Sequence, residues 1–396
     1  MDGLEIVTAQ SDEDWADFAQ VDAEGFVWDA TAAATAAQQL RGNVHLRLAR
    51  LGGRVVGCYA LASVEQRYGG HAVPAAAVES VTVLPEVRGT GVGAALMADL
   101  VRSARERECA VSPLWAAVPR FYARHGWGLG DRSVGFAVRM DALSSMRGEG
   151  EAVRDPGEAE WRELWGEIIE PWDGGFAPPP WWPVAGAPEP AEHRFALGWR
   201  ENDRLTGYAR FSQRRSGSQG AVETLVGRFG ALTGNAHRGL LGALGGNGGQ
   251  GETVRFEPGR LPRRNLLHIL LSDPHRDRLE ERAGSLWLQR IVDVRAALEQ
   301  RGYAEHEAGV IDLEVRDPHD EHPMRLRCTI ESGAMSVRVG GDGTVRIGVA
   351  ALAAWWGSSS TALQLSRLGL LQSPGDAVAL MDRILPRREI WLAEPF

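Results

Sequence analysis

Apolar positions along this chain recur at two spacings, and the change from one to the other marks its organisation. Up to about Ala142, alternating runs interleave with runs spaced three and four apart, which predicts a domain of mixed strands and helices. Within it, Val78 to Val83 reads as a strand stopped by Pro85. Positions 93, 96, 97, 100, 101 and 104 then predict a helix opening at Gly93. The polar stretch SSMRGEGEAVRDPGE reads as a linker. A second patterned region, about Val153 to Gly284, is interrupted by the proline-rich FAPPPWWPVAGAPEP, which neither helix nor strand could contain. Its glycine cluster GGNGGQG reads as a flexible loop, because no strand feeds directly into it and no Lys-Ser/Thr follows. A third region opens with LWLQRIVDVRAALEQRGY, whose spacing predicts one amphipathic helix ending at Gly302. Strand patterns follow in VIDLEVRD, MRLRCTIESG and AMSVRVGGDGTVRIGVAALAAWW, with a hairpin expected at Gly341-Asp342-Gly343. A helix from Pro374 to Leu385 and the tail IWLAEPF close the chain. At 396 residues it is too long for one ordinary core. Three domains are expected, at 1–142, 153–284 and 285–396.

Composition narrows the classes of function. With 44% hydrophobic and 24% charged residues the chain reads as soluble and globular. No apolar run is long enough to cross a bilayer. The acidic start MDGLEIVTAQSDEDW lacks the basic and apolar segments of a signal peptide, so a cytoplasmic location is expected, with export by a signal-less route left open. Cys58, Cys109 and Cys328 lie far apart without a CxxC pair, against a disulfide framework or a cysteine zinc site. The ten histidines show no metal spacing, and no metal is expected. A formal net charge of -9 argues against nucleic acid and mildly favours cationic ligands, although it also serves solubility. The sequence contains no lysine, so neither a catalytic lysine nor a phosphate-loop lysine is available.

The segment VESVTVLPEVRGTGVGAALMADLVRSARER carries the first chemistry. A strand, the turn Arg88-Gly89-Thr90-Gly91-Val92-Gly93 and a helix that begins inside that turn at Gly93 would together make an anion site. Successive backbone N–H groups face the ligand, the helix dipole adds positive potential, and glycine permits close approach. A pyrophosphate suits such a site, while a purely structural turn is the bland rival. The spacing RxxGxG is neither a phosphate loop nor the GxGxxG of a first βαβ unit. It resembles the coenzyme A motif of GNAT acetyltransferases. After SPLWAAV comes RFYARHGW, whose FYxxxGW resembles the second GNAT signature, in which the tyrosine gives a proton to the departing thiolate.

The resemblance continues along the chain. A GNAT domain, a linker, a second αβ region and a C-terminal region opening LWLQRIVDVRAALEQRGY resemble the enhanced intracellular survival (Eis) acetyltransferases. This implies an α/β (α+β) chain with a catalytic GNAT domain, a degenerate GNAT-like domain in which TGNAHRGLLGAL is the equivalent helix, and a sterol carrier protein-like domain. It implies acetyl-CoA as co-substrate and cationic multi-amine acceptors: aminoglycosides, polyamines or lysine side chains. It also implies a homohexamer of two trimers, while the charge and the lack of a long apolar run lead us to expect no nucleic-acid or membrane partner. The cofactor positions that match are Val81, Thr82, Val83, Arg88, Gly89, Thr90, Gly91, Val92, Gly93, Ala94, Ala117 and Val118. Tyr122 matches the general acid, and Phe396 the residue whose α-carboxylate acts as general base.

Other residues stay open. Glu79, read as beginning the central strand, is either a basic carboxylate or a solvated strand end. Asp22, Glu24 and Asp29 around Phe26 and Trp28 read as a solvated helix face more readily than as an amine pocket. Trp181-Trp182 and Trp355-Trp356 read as packing or an interface. The rival functions are a GNAT enzyme for a peptide N-terminus or another acceptor, and a non-catalytic coenzyme A or lipid-binding protein.

Overall fold

The computed structural model describes residues 3–182, 194–216, 221–246, 251–265, 267–271, 279–386 and 388–394. The first region holds β1 (Leu4–Thr8), α1 (Asp12–Phe26), α2 (Ala30–Leu40), β2 (His45–Leu51), β3 (Arg54–Tyr68) and β4 (His71–Val83). It continues with α3 (Val92–Glu106), β5 (Val111–Ala116), α4 (Pro119–Ala123), β6 (Gly128–Arg139) and α5 (Met140–Ser144). The central region holds β7 (Glu151–Arg154), α6 (Glu158–Ile169), β8 (Arg194–Glu201), β9 (Arg204–Ser216) and β10 (Ala221–Ala231). Next come α7 (Gly234–Leu244), β11 (Gly251–Phe256), α8 (Leu267–Leu270) and β12 (Glu280–Ile291). The last region holds α9 (Val294–Gln300), β13 (Gly309–Arg316), β14 (Met324–Glu331), β15 (Ala334–Val339) and β16 (Val345–Gly348). It ends in α10 (Val349–Trp356), α11 (Ala362–Arg367), β17 (Leu371–Gln372) and α12 (Gly375–Ile384).

The first two regions share one sheet of twelve strands, in the order β1-β2-β3-β4-β5-β12-β6-β11-β10-β9-β8-β7. Its seam is β12, which pairs antiparallel with β5 from Leu286↔Ala116 to Ile291↔Val111 and with β6 on its other side. This corrects the single helix expected over LWLQRIVDVRAALEQRGY: Leu286–Ile291 is strand, and only Val294–Gln300 is helix. The run misleads because β12 is covered on both faces. Trp287 packs with the core of the last region and Leu288 with that of the first, so apolar residues stand on both sides of the strand. The boundary expected at 284/285 falls inside this strand.

A separate sheet, β15-β14-β13-β16-β17, forms the last region. The hairpin expected at Gly341-Asp342-Gly343 is not there. β15 pairs with β14, the chain turning at Ser332 and Gly333 with φ of 50° and 77°, while β16 crosses over to pair parallel with β13. The strand read into VAALAAWW is α10, buried at seven of its eight positions and therefore without the polar face that marks a helix in sequence. It lies against β6 and β12 so closely that a Cβ on Gly128 would stand 1.9 Å from the Ala350 carbonyl oxygen. Trp182, Trp287, Trp355 and Trp356 share one buried cluster, which ties all three regions together. No helix of the described residues is long and apolar enough to cross a membrane.

Candidate active site

A cleft of ≈ 890 Å³ opens where β4 and β5 part. The two strands are paired in parallel only at Ala75↔Val111 and Val78↔Leu114. Beyond Val78 that edge of β4 has no strand partner, so its backbone groups are free to bond an extended ligand. On the opposite edge, β3 faces β4 as Ala60↔Glu79 and then Cys58↔Thr82, which leaves a bulge at Ser80 and Val81. Ser80 takes φ of 53°, a left-handed conformation that costs a non-glycine residue about 1–3 kcal/mol. The bulge re-aims the strand at the point where a reacting group would sit.

The turn after β4 forms the far end of the cleft. Gly89 and Gly91 have φ of 79° and 103°, where side chains are strongly disfavoured. The Arg88 guanidinium donates to the Val83 carbonyl at 2.9 Å and braces the turn. Helix α3 begins at Val92 without a side-chain cap, so its leading amides and its dipole are available to an anion. Arg88, Gly89, Gly91, Gly93 and Ala94 line the cleft with Val81, Thr82, Val83, Ala117 and Val118. Two expected positions do not. Thr90 is exposed, with its amide and hydroxyl both bonded to the Val87 carbonyl, and the Val92 side chain is buried in the core. Among the residues present, two glycines at positive φ, an uncapped helix and a free strand edge fit a pyrophosphate with an extended arm, as in acetyl-CoA.

Tyr122 lines the same cleft from α4. It packs edge-on against Phe121 and Trp127, and burial pushes its phenol up to about 12, so it stays protonated and can donate. Arg290 of β12 holds the turn that follows. Fully buried, it donates to the His125 carbonyl at 2.6 Å, pairs with Asp317 at 2.7 Å and lies over the Trp127 ring. A Cβ on Gly126, at φ of 91°, would fall 1.7 Å from that guanidinium, which explains the glycine of FYxxxGW. His125, stacked on His319, lines the cleft as well.

Two carboxyl groups lie at the bulge. Glu79 sits well inside β4, not at its start; it lines the cleft, and its Oε1 is enclosed without a partner. Burial, reinforced by Asp22, raises its pKa to about 7. Asp22 is buried on α1, against the expected solvated face, with Oδ1 unpartnered. Burial raises it to about 6 against the opposing Ser80 hydrogen bond. Its place on the stripe Phe18, Val21, Asp22, Gly25 was the available signal. Gly25 presses so close to β4 that a Cβ would meet Thr82 Cγ2 at 2.2 Å. Glu24 is exposed and Asp29 caps α2. Trp115 and Ser285 also line the cleft; Ser285 comes from β12, and nothing local in the sequence brings it here.

The tail reaches the same place. The Trp391 indole donates to the Gly259 carbonyl at 2.8 Å, Arg260 donates to that of Ala393, and Glu394 forms a buried 2.6 Å pair with Arg228. The Glu394 carbonyl accepts from the Trp115 indole at 3.4 Å. Phe396 lies outside the described residues. No group of His, Cys, Asp and Glu among the described residues could hold a metal ion.

Family models agree with this geometry. Residues 7–130 and 177–295 each match an acetyltransferase (GNAT) domain, and residues 294–393 match a sterol carrier protein domain. Two of the chain's three regions are thus GNAT acetyltransferase domains. Its homologues include the Eis-like N-acetyltransferases. It is 28% identical over 353 residues to an uncharacterized N-acetyltransferase of Streptomyces avermitilis, covering 80% of this chain and 79% of that one. It is 31% identical over 272 residues to N-acetyltransferase Eis of Mycobacterium tuberculosis, spanning 62% of each chain. In fold, this GNAT chain is similar to a GCN5-related N-acetyltransferase from Anabaena variabilis, with a TM-score of 0.91 and 22% identity over 99% of this chain and 100% of that one. It is also similar to Eis1 from Mycobacterium abscessus, with a TM-score of 0.79 and 23% identity over the same shares.

Proposed function

We propose that this acetyltransferase moves the acetyl group of acetyl-CoA directly to an amine held in the same cleft, with Tyr122 as proton donor and Glu79 as proton acceptor. The observation that carries the reading is that a protonated phenol and an enclosed, unpartnered carboxyl both line one cleft that ends on an uncapped helix. Backbone groups of Val81, Thr82 and Val83 bind the extended arm, and the turn from Arg88 to Ala94, with Ala117 and Val118, holds the rest of the co-substrate. The amine must arrive uncharged. Glu79 removes its proton, a C–N bond forms as the C–S bond breaks, and Tyr122 hands a proton to the departing sulfur. Each such proton transfer contributes about 10²–10⁴-fold.

The α-carboxylate of Phe396 is the second candidate for the base. It is favoured by the tail, whose Glu394 backbone is bonded to a tryptophan of the cleft. A short peptide added after Phe396 separates the two: retained turnover leaves Glu79 as the base, and lost turnover with acetyl-CoA still bound assigns it to the tail. The Eis homology widens the acceptor list to aminoglycosides, polyamines and lysine side chains. Release of coenzyme A thiol, followed across those amines, tests the transfer itself. Silence with every amine would turn the reading to a coenzyme A or lipid-binding protein.

A further inference from the structure

Resting on Tyr122 as the proton donor, we infer that Asp317, in the region that matches a sterol carrier protein domain, is a positioning residue for acetyl transfer in the first domain. The chain from His125 to Leu129 leads from the helix that bears Tyr122 into β6, and the last region grips it at successive points. His125 stacks on His319 with ring centroids 5.4 Å apart. A Cβ on Gly126 would lie 2.7 Å from Val349 Cγ1, and one on Gly128 1.9 Å from the Ala350 carbonyl oxygen. Ser359 donates to the Leu129 carbonyl. Val349 and Ala350 open α10, which is buried along almost its whole length, so the segment after the acid lies against a wall that cannot easily shift.

A polar brace then fixes the orientation of the turn. The Tyr122 carbonyl accepts from the amides of His125 and Trp127 at 2.9 and 3.2 Å, so the turn and the backbone of the acid move as one unit. Arg290 holds that unit by the His125 carbonyl, and Asp317 holds Arg290: both carboxylate oxygens accept from the same guanidinium nitrogen, at 2.8 and 2.7 Å. The Arg290 side chain is wholly shielded from solvent, and among the described residues Asp317 is its one ion-pair partner. A buried cation stripped of that partner is strongly disfavoured and would leave its place. Asp317 is itself fixed, accepting from the His319 amide at 2.9 Å and standing 3.5 Å from the Arg105 guanidinium. Arg105 belongs to α3, the helix whose start faces the anion site, and it also donates to the Val292 carbonyl just past β12. One carboxylate of the last region therefore ties the helix that receives the co-substrate to the turn that carries the acid. A phenol can protonate a departing sulfur only from within hydrogen-bond reach, and a displacement of about 1 Å costs about a hundredfold in rate.

The test is a double-mutant cycle on the full chain, followed by thiol release from acetyl-CoA. Spermidine, a deoxystreptamine aminoglycoside and a lysine peptide are offered, and the fastest serves as acceptor. Asp317→Asn keeps the size and removes the charge; kcat should fall about 10–100-fold, with KM for acetyl-CoA within about twofold of the parent. In a Tyr122→Phe background the same substitution should cost nothing further, because the group it positions is already gone. Asp320→Asn is the control: its carboxylate sits on the same loop and bonds Arg105 but not Arg290, so kcat should hold. Should Asp317→Asn fail to fold, Arg290→Met with Asp317→Leu removes both charges together, a replacement that buried ion pairs tolerate, and is read in the same way. Unchanged kcat in Asp317→Asn would overturn the inference while leaving Tyr122 as the acid. So would an equal loss in both backgrounds, or an equal loss in Asp320→Asn, since either is the mark of a merely structural contact. Near-parent kcat in Tyr122→Phe alone, or no turnover of any amine by the parent, would overturn the reading beneath it as well.

Discussion

The two GNAT domains of this chain differ at one helix start. In each, an antiparallel run leads into a long strand, a helix follows, and the next strand pairs in parallel with the long one. In the first domain α3 begins after Gly91 with no side-chain cap. In the central domain α7 begins after Thr233, whose hydroxyl accepts from the Ala236 amide at 3.0 Å and also bonds the Glu201 carboxylate. Hydrogen bonds from Thr206 and Thr233 lower the pKa of Glu201, so a fixed negative charge stands at that helix start. The central domain thus caps with Thr233, and backs with the Glu201 charge, the helix start that the first domain leaves uncapped. The space differs as well: about 890 Å³ in the first domain, against ≈ 270 Å³ beside α7, where Leu261, Leu267 and the tail's Trp391 close in. The same architecture therefore offers an anion less at α7, where a hydroxyl caps the helix and a carboxylate is bonded to that hydroxyl.

The largest expected effect comes from closing the open site. Gly91→Val puts a β-branched residue at φ of 103° and a side chain where the ligand must approach. Acetyl-CoA should then bind at least about a hundredfold more weakly, and its protection against thermal unfolding should vanish at concentrations that protect the parent. Full protection in that variant would remove the anion site from the first domain and the comparison with it. Next in size is Tyr122→Phe, which keeps the ring and its packing on Trp127. We expect kcat to fall by about 10²–10³-fold with little change in KM, the mark of an interaction made in the transition state. Near-normal kcat would make Tyr122 a packing residue.

The glycine turn and FYxxxGW were legible because their chemistry is local: a strand stop, two glycines at positive φ and a helical spacing fall within one short run. The mixed strand-and-helix character of the first region was legible from periodicity for the same reason, whereas the helix after Thr233 was expected only from the resemblance to the Eis acetyltransferases. What was not legible depends on distant chain. Strand β12 enters the first domain's sheet from the end of the second, and only that placement buries both of its faces, brings Ser285 to the cleft and lets Arg290 hold the Tyr122 turn. Asp22 read as solvated because a carboxylate on a helix usually is. Its burial follows from Gly25 admitting α1 against the bulge, and the bulge itself has no sequence marker, since a serine occupies the left-handed position.

The Glu79 and Asp22 pair sharpens the contrast through pH. As the base, Glu79 must be ionised, so kcat/KM should rise with an apparent pKa near 7, and Glu79→Gln should both slow the reaction and remove that limb. Stability should move the other way. The folded pKa of Glu79 is raised from 4.5 to about 7, so between those values the folded chain binds more protons than the unfolded one. Its contribution is present below about pH 4.5 and is lost as pH rises to 7. Chemical denaturation of parent and Glu79→Gln across that range measures the difference. A parent curve with no extra decline would show that the carboxyl is not held in an apolar setting.

The smallest effect is expected from trying to reopen the central site. Thr233→Ala combined with Glu201→Gln removes the cap and the fixed charge together, leaving the α7 amides as free as those of α3. Loss of an N-cap costs about 1 kcal/mol, so the variant should fold with a slightly lower midpoint. Two things still separate the domains. The pocket beside α7 stays small, because Leu261, Leu267 and Trp391 are core residues that neither substitution moves. The turn Leu232-Thr233 also lacks the paired positive-φ glycines that let a backbone approach phosphates in the first domain. Calorimetric titration of the variant with acetyl-CoA should therefore give one site per chain, as in the parent. A second equivalent bound would mean that capping and charge alone had closed the central domain, and that its walls open when an anion is offered.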